Sequence, residues 1–249
     1  MKAFTLSIIA LAMACTDVAQ PLKSEADSLY AQECYEQAAK IYQQLLEQDG
    51  DAVELYYNLG NCYYKTENIP YAILNYERAL RLSPGDGDIR ANLALARSHT
   101  TDKVTPASEM FFVTWWKRFT NSMSLRAWTQ LAVIAFILML LGILAYMFLR
   151  GLTLRKIGAY GAIALLAVTV IANLCILTQH SLLVSHTAAI VIEPAVTVKS
   201  SPSQSSTDLF IIHEGSRVEI LDDGMNEWRE VKLEEGKQGW IPSKAIENI

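Results

Sequence analysis

No Asp, Glu, Lys, Arg or His occurs between residues 131 and 149, nor between residues 157 and 178. Each uncharged run matches the roughly 20 apolar residues that cross a bilayer. Neither keeps the polar stripe that a soluble helix needs. Transmembrane helices are expected over 127–149 and 157–179, paired as a hairpin; a hairpin buried in a soluble core is the alternative. Cysteine is scarce as well. Cys15, Cys34, Cys62 and Cys175 show no metal-ligand spacing, so neither a metal nor another cofactor is expected. Cys34 and Cys62 should fall on helices, where two buried free thiols are favoured over a disulfide. His99, His180, His186 and His213 pair with no nucleophile, and there is no Gly-rich phosphate loop. An enzyme is therefore not expected.

Charge is present but unevenly placed. Residues 20–100 carry twelve acidic against seven basic side chains, and residues 188–249 carry eleven against six. The stretch between them holds Lys103, Lys117, Arg118, Arg126, Arg150, Arg155 and Lys156 against only Asp102 and Glu109. Basic residues flanking membrane spans suit anionic lipid head groups, and the two acidic parts argue against a nucleic-acid partner.

The start, residues 1–14, has one Lys, an apolar stretch too short to span a membrane, and a final Ala12-Met13-Ala14. That is the pattern of an export signal, expected over 1–19. Cleavage after Ala14 leaves Cys15 first, a candidate for lipidation. Ala12 stands where lipoprotein signals carry a bulky aliphatic residue, which weighs against it. An export signal puts the first acidic part outside the cytoplasm, so the hairpin returns the chain to the same side. A short cytoplasmic loop over 150–156 then holds Arg150, Arg155 and Lys156, as the positive-inside rule requires. The expected location is the bacterial inner (cytoplasmic) membrane, multi-pass, with both acidic parts on the periplasmic side.

Self-similarity organises residues 20–100. Ala38 and Ala72 are offset by 34 residues, as are Tyr42 and Tyr76. That period belongs to helical hairpin repeats. Tyr56-Tyr57-Asn58-Leu59-Gly60-Asn61-Cys62-Tyr63-Tyr64, followed by Ala72, Tyr76, Ala79 and Pro84, resembles a near-complete tetratricopeptide motif. Small Gly60 and Ala72 let two helices approach while Tyr56, Leu59, Tyr63, Tyr76 and Leu80 fill the space around them. Pro84-Gly85 stops the second helix. Residues 88–97 repeat the first-helix pattern, giving two hairpins plus a capping helix. So short an array is near the minimum of about three units, so support is expected from the following segment, a partner or self-association. The resemblance implies peptide or protein binding on the concave face of the first helices. Carried onto this sequence, that face includes Lys23, Asp27, Tyr30, Tyr57, Asn61 and Tyr64. A carboxylate clamp would want Asn at Asp27 and basic residues at Ala91 and Leu95, which are missing.

Residues 101–126 read as a polar linker followed by a helix in which Phe111, Trp115 and Phe119 are spaced by four. An interfacial helix using Lys117 and Arg118 is expected, with packing against the repeats as the alternative. Asn173 is the polar residue available for a bond across the hairpin or to another subunit.

From residue 188 the pattern changes to five or six short β-rich runs separated by Gly, Asp, Ser and Pro turns. The order Val196 to Pro202, Gly215 to Leu221, Trp228, then Gly239-Trp240-Ile241-Pro242-Ser243 resembles bacterial SH3 domains. That implies a small SH3-like β-barrel over 188–249 with Trp228 and Pro242 on the ligand face. Use of Trp228 as core stands equally open, and Ala245 replaces the groove tyrosine of proline-helix binders.

The fold class expected is thus α-helical tetratricopeptide array, transmembrane hairpin, then β-barrel. That order resembles membrane proteins of the Bacteroides aerotolerance family, BatE type. The resemblance implies a scaffold in an envelope complex, with von Willebrand factor A-type membrane proteins and a MoxR-type ATPase as partners, supporting tolerance of oxygen or other stress. A cell-wall tether that binds peptidoglycan through the SH3-like module is the alternative.

Overall fold

A computed structural model describes residues 22–102, 110–148, 151–184, 188–222 and 224–249. The expected signal sequence, Cys15, and residues 103–109 of the expected linker lie outside them. Among the described residues, contacts divide the chain into two compact units. One holds residues up to 80, 86–102 and 188 onward; the other holds 81–85 with 110–184.

The first unit begins with α1 (22–31), α2 (Tyr35–Asp49), α3 (Val53–Lys65), α4 (Ile69–Leu82) and α5 (Gly87–Ser98). These are the two hairpins and the capping helix that the 34-residue period predicts. The period extends to the turns, where Glu33 and Glu67 both adopt left-handed backbone, with φ of 63° and 60°. It extends to the buried hydrogen bonds as well. Tyr42 Oη donates to Asp27 at 2.6 Å and Tyr76 Oη donates to Asn61 at 2.7 Å, each pair linking the first helix of a hairpin to its second. A Cβ on Gly60 would lie 2.7 Å from the Tyr76 ring, which is why the second copy requires glycine there. The start of α5 is fixed by Asp86, whose side chain accepts from the backbone N–H groups of Asp88 and Ile89.

Cys34 departs from expectation. It stands in the turn before α2, because the chain reverses there through Cys34 N–H to Leu29 O at 2.9 Å. Cys62 is buried on α3, and both thiols are free.

The same unit contains β1 (Ala188–Val191), β2 (Ala195–Lys199), β3 (Asp208–His213), β4 (Arg217–Asp222), β5 (Trp228–Leu233), β6 (Gln238–Pro242) and β7 (Ile246–Asn248). They form one antiparallel sheet in the order β3-β2-β6-β5-β4-β1-β7. The six expected runs are β1 to β6. The seventh strand follows a 3₁₀ turn over Ser243–Ala245, and three residues are too few to show alternation.

β1 is buried on both faces. Ala189 and Val191 enter the β-module core, whereas Ile190 joins Ile249 in the core of the repeat array beside Ile73, Leu93 and Ala96. Polar contacts surround that joint. Asp102 accepts from His213 N–H at 2.7 Å and Ser216 Oγ at 2.9 Å, and its other oxygen lies 2.9 Å from His213 Nδ1. Arg78 donates to Glu247 at 3.1 Å and to the Asn248 carbonyl at 2.6 Å. Buried Glu77 accepts from Arg97 and faces Arg217 at 3.9 Å. Gly215, at φ 80°, lies so close that a Cβ would meet Thr100 at 2.6 Å. The support expected for the short array thus comes from the C-terminal module.

The second unit contains α6 (Phe111–Thr120), α7 (Leu125–Phe148) and α8 (Leu152–Val184). α7 and α8 are long and apolar enough to cross a membrane, with mean hydropathy of 2.8 and 2.3 in their most apolar windows and 17% of each window buried. A soluble core helix would hide more. The loop expected over 150–156 is shorter, because residues from Leu152 onward already belong to α8. Gly142 and Gly158 let the backbones touch, since a Cβ on Gly158 would lie 2.8 Å from the Gly142 carbonyl. Asn173 bonds within its own helix, to Thr169 O at 2.8 Å, and not across the hairpin. Gln179 of α8 instead reaches the end of α6 and the turn after it, its amide donating to the carbonyls of Thr120 and Met123 at 2.7 and 2.8 Å. Trp128 Nε1 also donates to Thr120 O at 2.9 Å, so the last carbonyl of α6 is satisfied twice. Trp116 and Phe119 pack against the hairpin while Phe111 and Trp115 remain exposed, so the expected three-residue face is divided.

Candidate interaction surfaces

The concave side of α1, α3 and α5 holds a groove of about 270 Å³. Four expected residues, Tyr30, Tyr57, Asn61 and Tyr64, line it together. Lys23 and Asp27 do not. Lys23 pairs with Glu54 at 2.7 Å and with Asp27 at 3.5 Å, while Asp27 accepts from Tyr42. The hydrogen bond to Glu54 raises the Lys23 pKa against a smaller opposing effect of burial. These two residues brace the first copy.

The groove also takes in Lys65, Tyr76, Asn92 and Leu95, which sequence reasoning did not nominate as binding residues. Asn92 had a signal, since it lies 34 residues after Asn58. Its amide donates to Tyr57 Oη and Asn61 Oδ1, both at 3.0 Å. Tyr64 Oη lies 3.2 Å from His99 Nε2. Burial raises the Tyr30 and Tyr76 phenols above their ordinary range, so both stay neutral at physiological pH, and the Tyr76 hydroxyl is already committed to Asn61. Burial likewise pushes the Cys62 thiol up to about 12, leaving it inert beneath the groove. Leu95, 49% exposed, adds an apolar contact. The surface therefore offers aromatic faces, neutral hydroxyls and one cation, Lys65, a combination suited to an extended peptide.

In the β-module, Trp228 and Pro242 face each other across β5 and β6 and line a depression of about 370 Å³ with Gln204, Asn226, Ser243 and Lys244. Trp228 lines the depression although it is only 9% exposed. No group of metal-ligating side chains occurs among the described residues.

Residues 24–87 match the tetratricopeptide repeat family model. Residues 194–247 match that of the bacterial SH3 domain. The SH3 match starts after β1, so the strand that joins the module to the array lies outside it. No curated protein matches the chain. Among solved structures, the chain is similar to the Yersinia enterocolitica type III secretion translocator chaperone SycD at 24% identity, covering 33% of this chain and 69% of that one, with a TM-score of 0.29. It is also similar to SycD in complex with a peptide of the translocator YopD at 14% identity, covering 62% and 95%, with a TM-score of 0.32. Likeness at these TM-scores carries no inference about the present chain. The tetratricopeptide match does, because such arrays bind through their concave surfaces. It points to protein partners.

Proposed function

We propose that this chain is a membrane-anchored, non-enzymatic scaffold whose concave tetratricopeptide groove captures an extended segment of a protein partner. The observation that carries this reading is the convergence of Tyr30, Tyr57, Asn61, Tyr64 and Leu95 on one groove in a unit that also contains the β-module. Two apolar helices lie between residues 102 and 188, whose flanks belong to a single compact unit. An even number of crossings is what such an insertion requires, which supports a hairpin with both acidic parts on the same side; the export-signal pattern of residues 1–14 is what favours the periplasmic one. An envelope complex with von Willebrand factor A-type membrane proteins, serving aerotolerance or stress resistance, fits this arrangement. The depression beside Trp228 and Pro242 favours a second reading, a peptidoglycan-binding tether.

Cross-linking in membranes followed by affinity recovery tests the scaffold. Asn61 accepts from buried Tyr76, so its replacement would disturb the fold; Tyr64→Ala with Leu95→Glu leaves that bond intact. Partner recovery is expected to fall on the order of tenfold in this double variant, the loss of one strong anchor. Unchanged recovery would move the contact off the concave face. Recovery of peptidoglycan alone, abolished by removing residues 188–249, would favour the tether.

A further inference from the structure

α8 carries two stripes of residues that step by three and four. On the first, Gly158, Ala162, Ala172 and Gln179 are buried against α7 or the end of α6. The second stands one residue, about 100°, further round the helix. Its members, Ile163, Leu166, Val170, Asn173, Leu177 and His180, are all exposed. Alternate steps of three and four are the spacing of a seam between two packed helices. Ile163 and Leu166 also border a groove of about 260 Å³ lined by Met139 and Ile143 of α7, where apolar side chains of another helix can seat. Asn173 gives this stripe its specificity. It lies five residues, about 7.5 Å, inside the end of the uncharged run 157–178. Thr169 and Thr178 return their hydroxyls to carbonyls of their own helix. Asn173 uses only one N–H in that way, on Thr169 O at 2.8 Å. Its second N–H and its Oδ1 have no partner among the described residues, and the side chain is open to contact.

We infer that α8 pairs within the membrane with α8 of a second copy of this chain, the two helices parallel about a two-fold axis and their Asn173 amides hydrogen-bonded to each other. Hydrocarbon offers neither donor nor acceptor, so an exposed amide there is drawn to another polar side chain. An amide is both donor and acceptor, so each copy's N–H can meet the other's Oδ1 across the axis. Insertion gives every copy the same orientation and depth, which brings the two amides to one level. A different membrane protein would need its own polar side chain at that depth. The inference rests on the proposed reading that the hairpin spans a bilayer. It is independent of the concave groove.

The test uses the full chain, labelled sparsely on lysine amines with donor or acceptor dye and reconstituted in phosphatidylcholine vesicles over a range of protein-to-lipid ratios. Energy transfer between copies is expected, and the ratio at which dilution halves it should be about tenfold higher for Asn173→Leu than for the parent. Asn173→Gln keeps the amide and should stay near the parent. Ile171→Ala, off the stripe, should change nothing. Donor-labelled Asn173→Leu mixed with acceptor-labelled parent should pair no better than the variant with itself, because a single amide finds no mate. Transfer indifferent to Asn173→Leu, an equal loss in Ile171→Ala, or full pairing of parent with variant would overturn the inference. Protein left behind when the vesicles are floated would overturn it together with the membrane reading. Floated protein without energy transfer at any ratio would overturn it alone and leave the anchored scaffold standing.

Discussion

Asp102 is the last described residue before the chain leaves the repeats, and it reads in the sequence as linker. The structure instead gives its carboxylate three partners on the β-module. Burial alone would raise its pKa, but the hydrogen bonds from His213 N–H, the His213 ring and Ser216 outweigh burial and hold the carboxyl below its ordinary value of 3.8. A lowered folded pKa means that the ionised form is favoured in the fold. The resulting stability is fully present above the unfolded value near 3.8, shrinks as pH falls below it, and is gone once pH passes the folded value. Asp102→Ala should therefore cost about 1–3 kcal/mol at neutral pH by orphaning these donors. In urea denaturation the gap between parent and variant should close under acid, below about pH 4. A gap that persists unchanged at pH 2 would show that ionisation of Asp102 contributes nothing. By contrast, Tyr42, Tyr76, Gly60 and Asn61 were legible from the sequence because the 34-residue period assigns each a place. Asp102 belongs to no period, and its partners lie more than a hundred residues away.

At the scale of elements, β1 supplies cover to the core of a short array. The run Ala188-Ala189-Ile190-Val191-Ile192 has no polar alternation, the mark of a strand covered on both faces. Sequence reading identified the strand, but not what covers its second face. Ile190 is fully buried among array residues. Ile190→Ala should destabilise by about 2–5 kcal/mol. Hydrogen exchange should then rise together in α5 and in β4, because one side chain serves both cores. Faster exchange in the β-module alone would refute a shared core. Helix ends were legible less finely. The charges at Arg155 and Lys156 suggested a loop, yet both lie in α8, where Arg155 Nε donates to Tyr146 O at 3.1 Å and its guanidinium covers the Tyr146 ring. A cation near a helix C-terminus meets free carbonyls, so charge there does not by itself signal a break.

For the whole molecule, order along the chain and order in space differ. Composition alone separated helical, apolar and β-rich parts, because each has its own periodicity. It could not reveal that the first and last parts form one unit, since that depends on surfaces meeting across a long insertion. If the apolar hairpin is an insertion, it should be removable. Joining residue 102 to residue 188 through about ten Gly/Ser residues, which reach roughly 33 Å, should give a water-soluble protein. Calorimetry should show a single melting transition. Two separate transitions would mean that the joint at Asp102, Arg78 and Ile190 is not cooperative.

The position of Ile190 and Ile249 in the array core also bears on biogenesis. The repeats emerge from the ribosome long before the strand that completes them, and on the topology proposed above two membrane crossings must be made in between. A hairpin that makes only one crossing strands the halves on opposite sides of the bilayer, leaving the apolar end of α4 and α5 uncovered. Correct topology and a finished core are then the same event. Quality-control proteases that recognise exposed apolar surface would thereby inspect membrane insertion from outside the membrane.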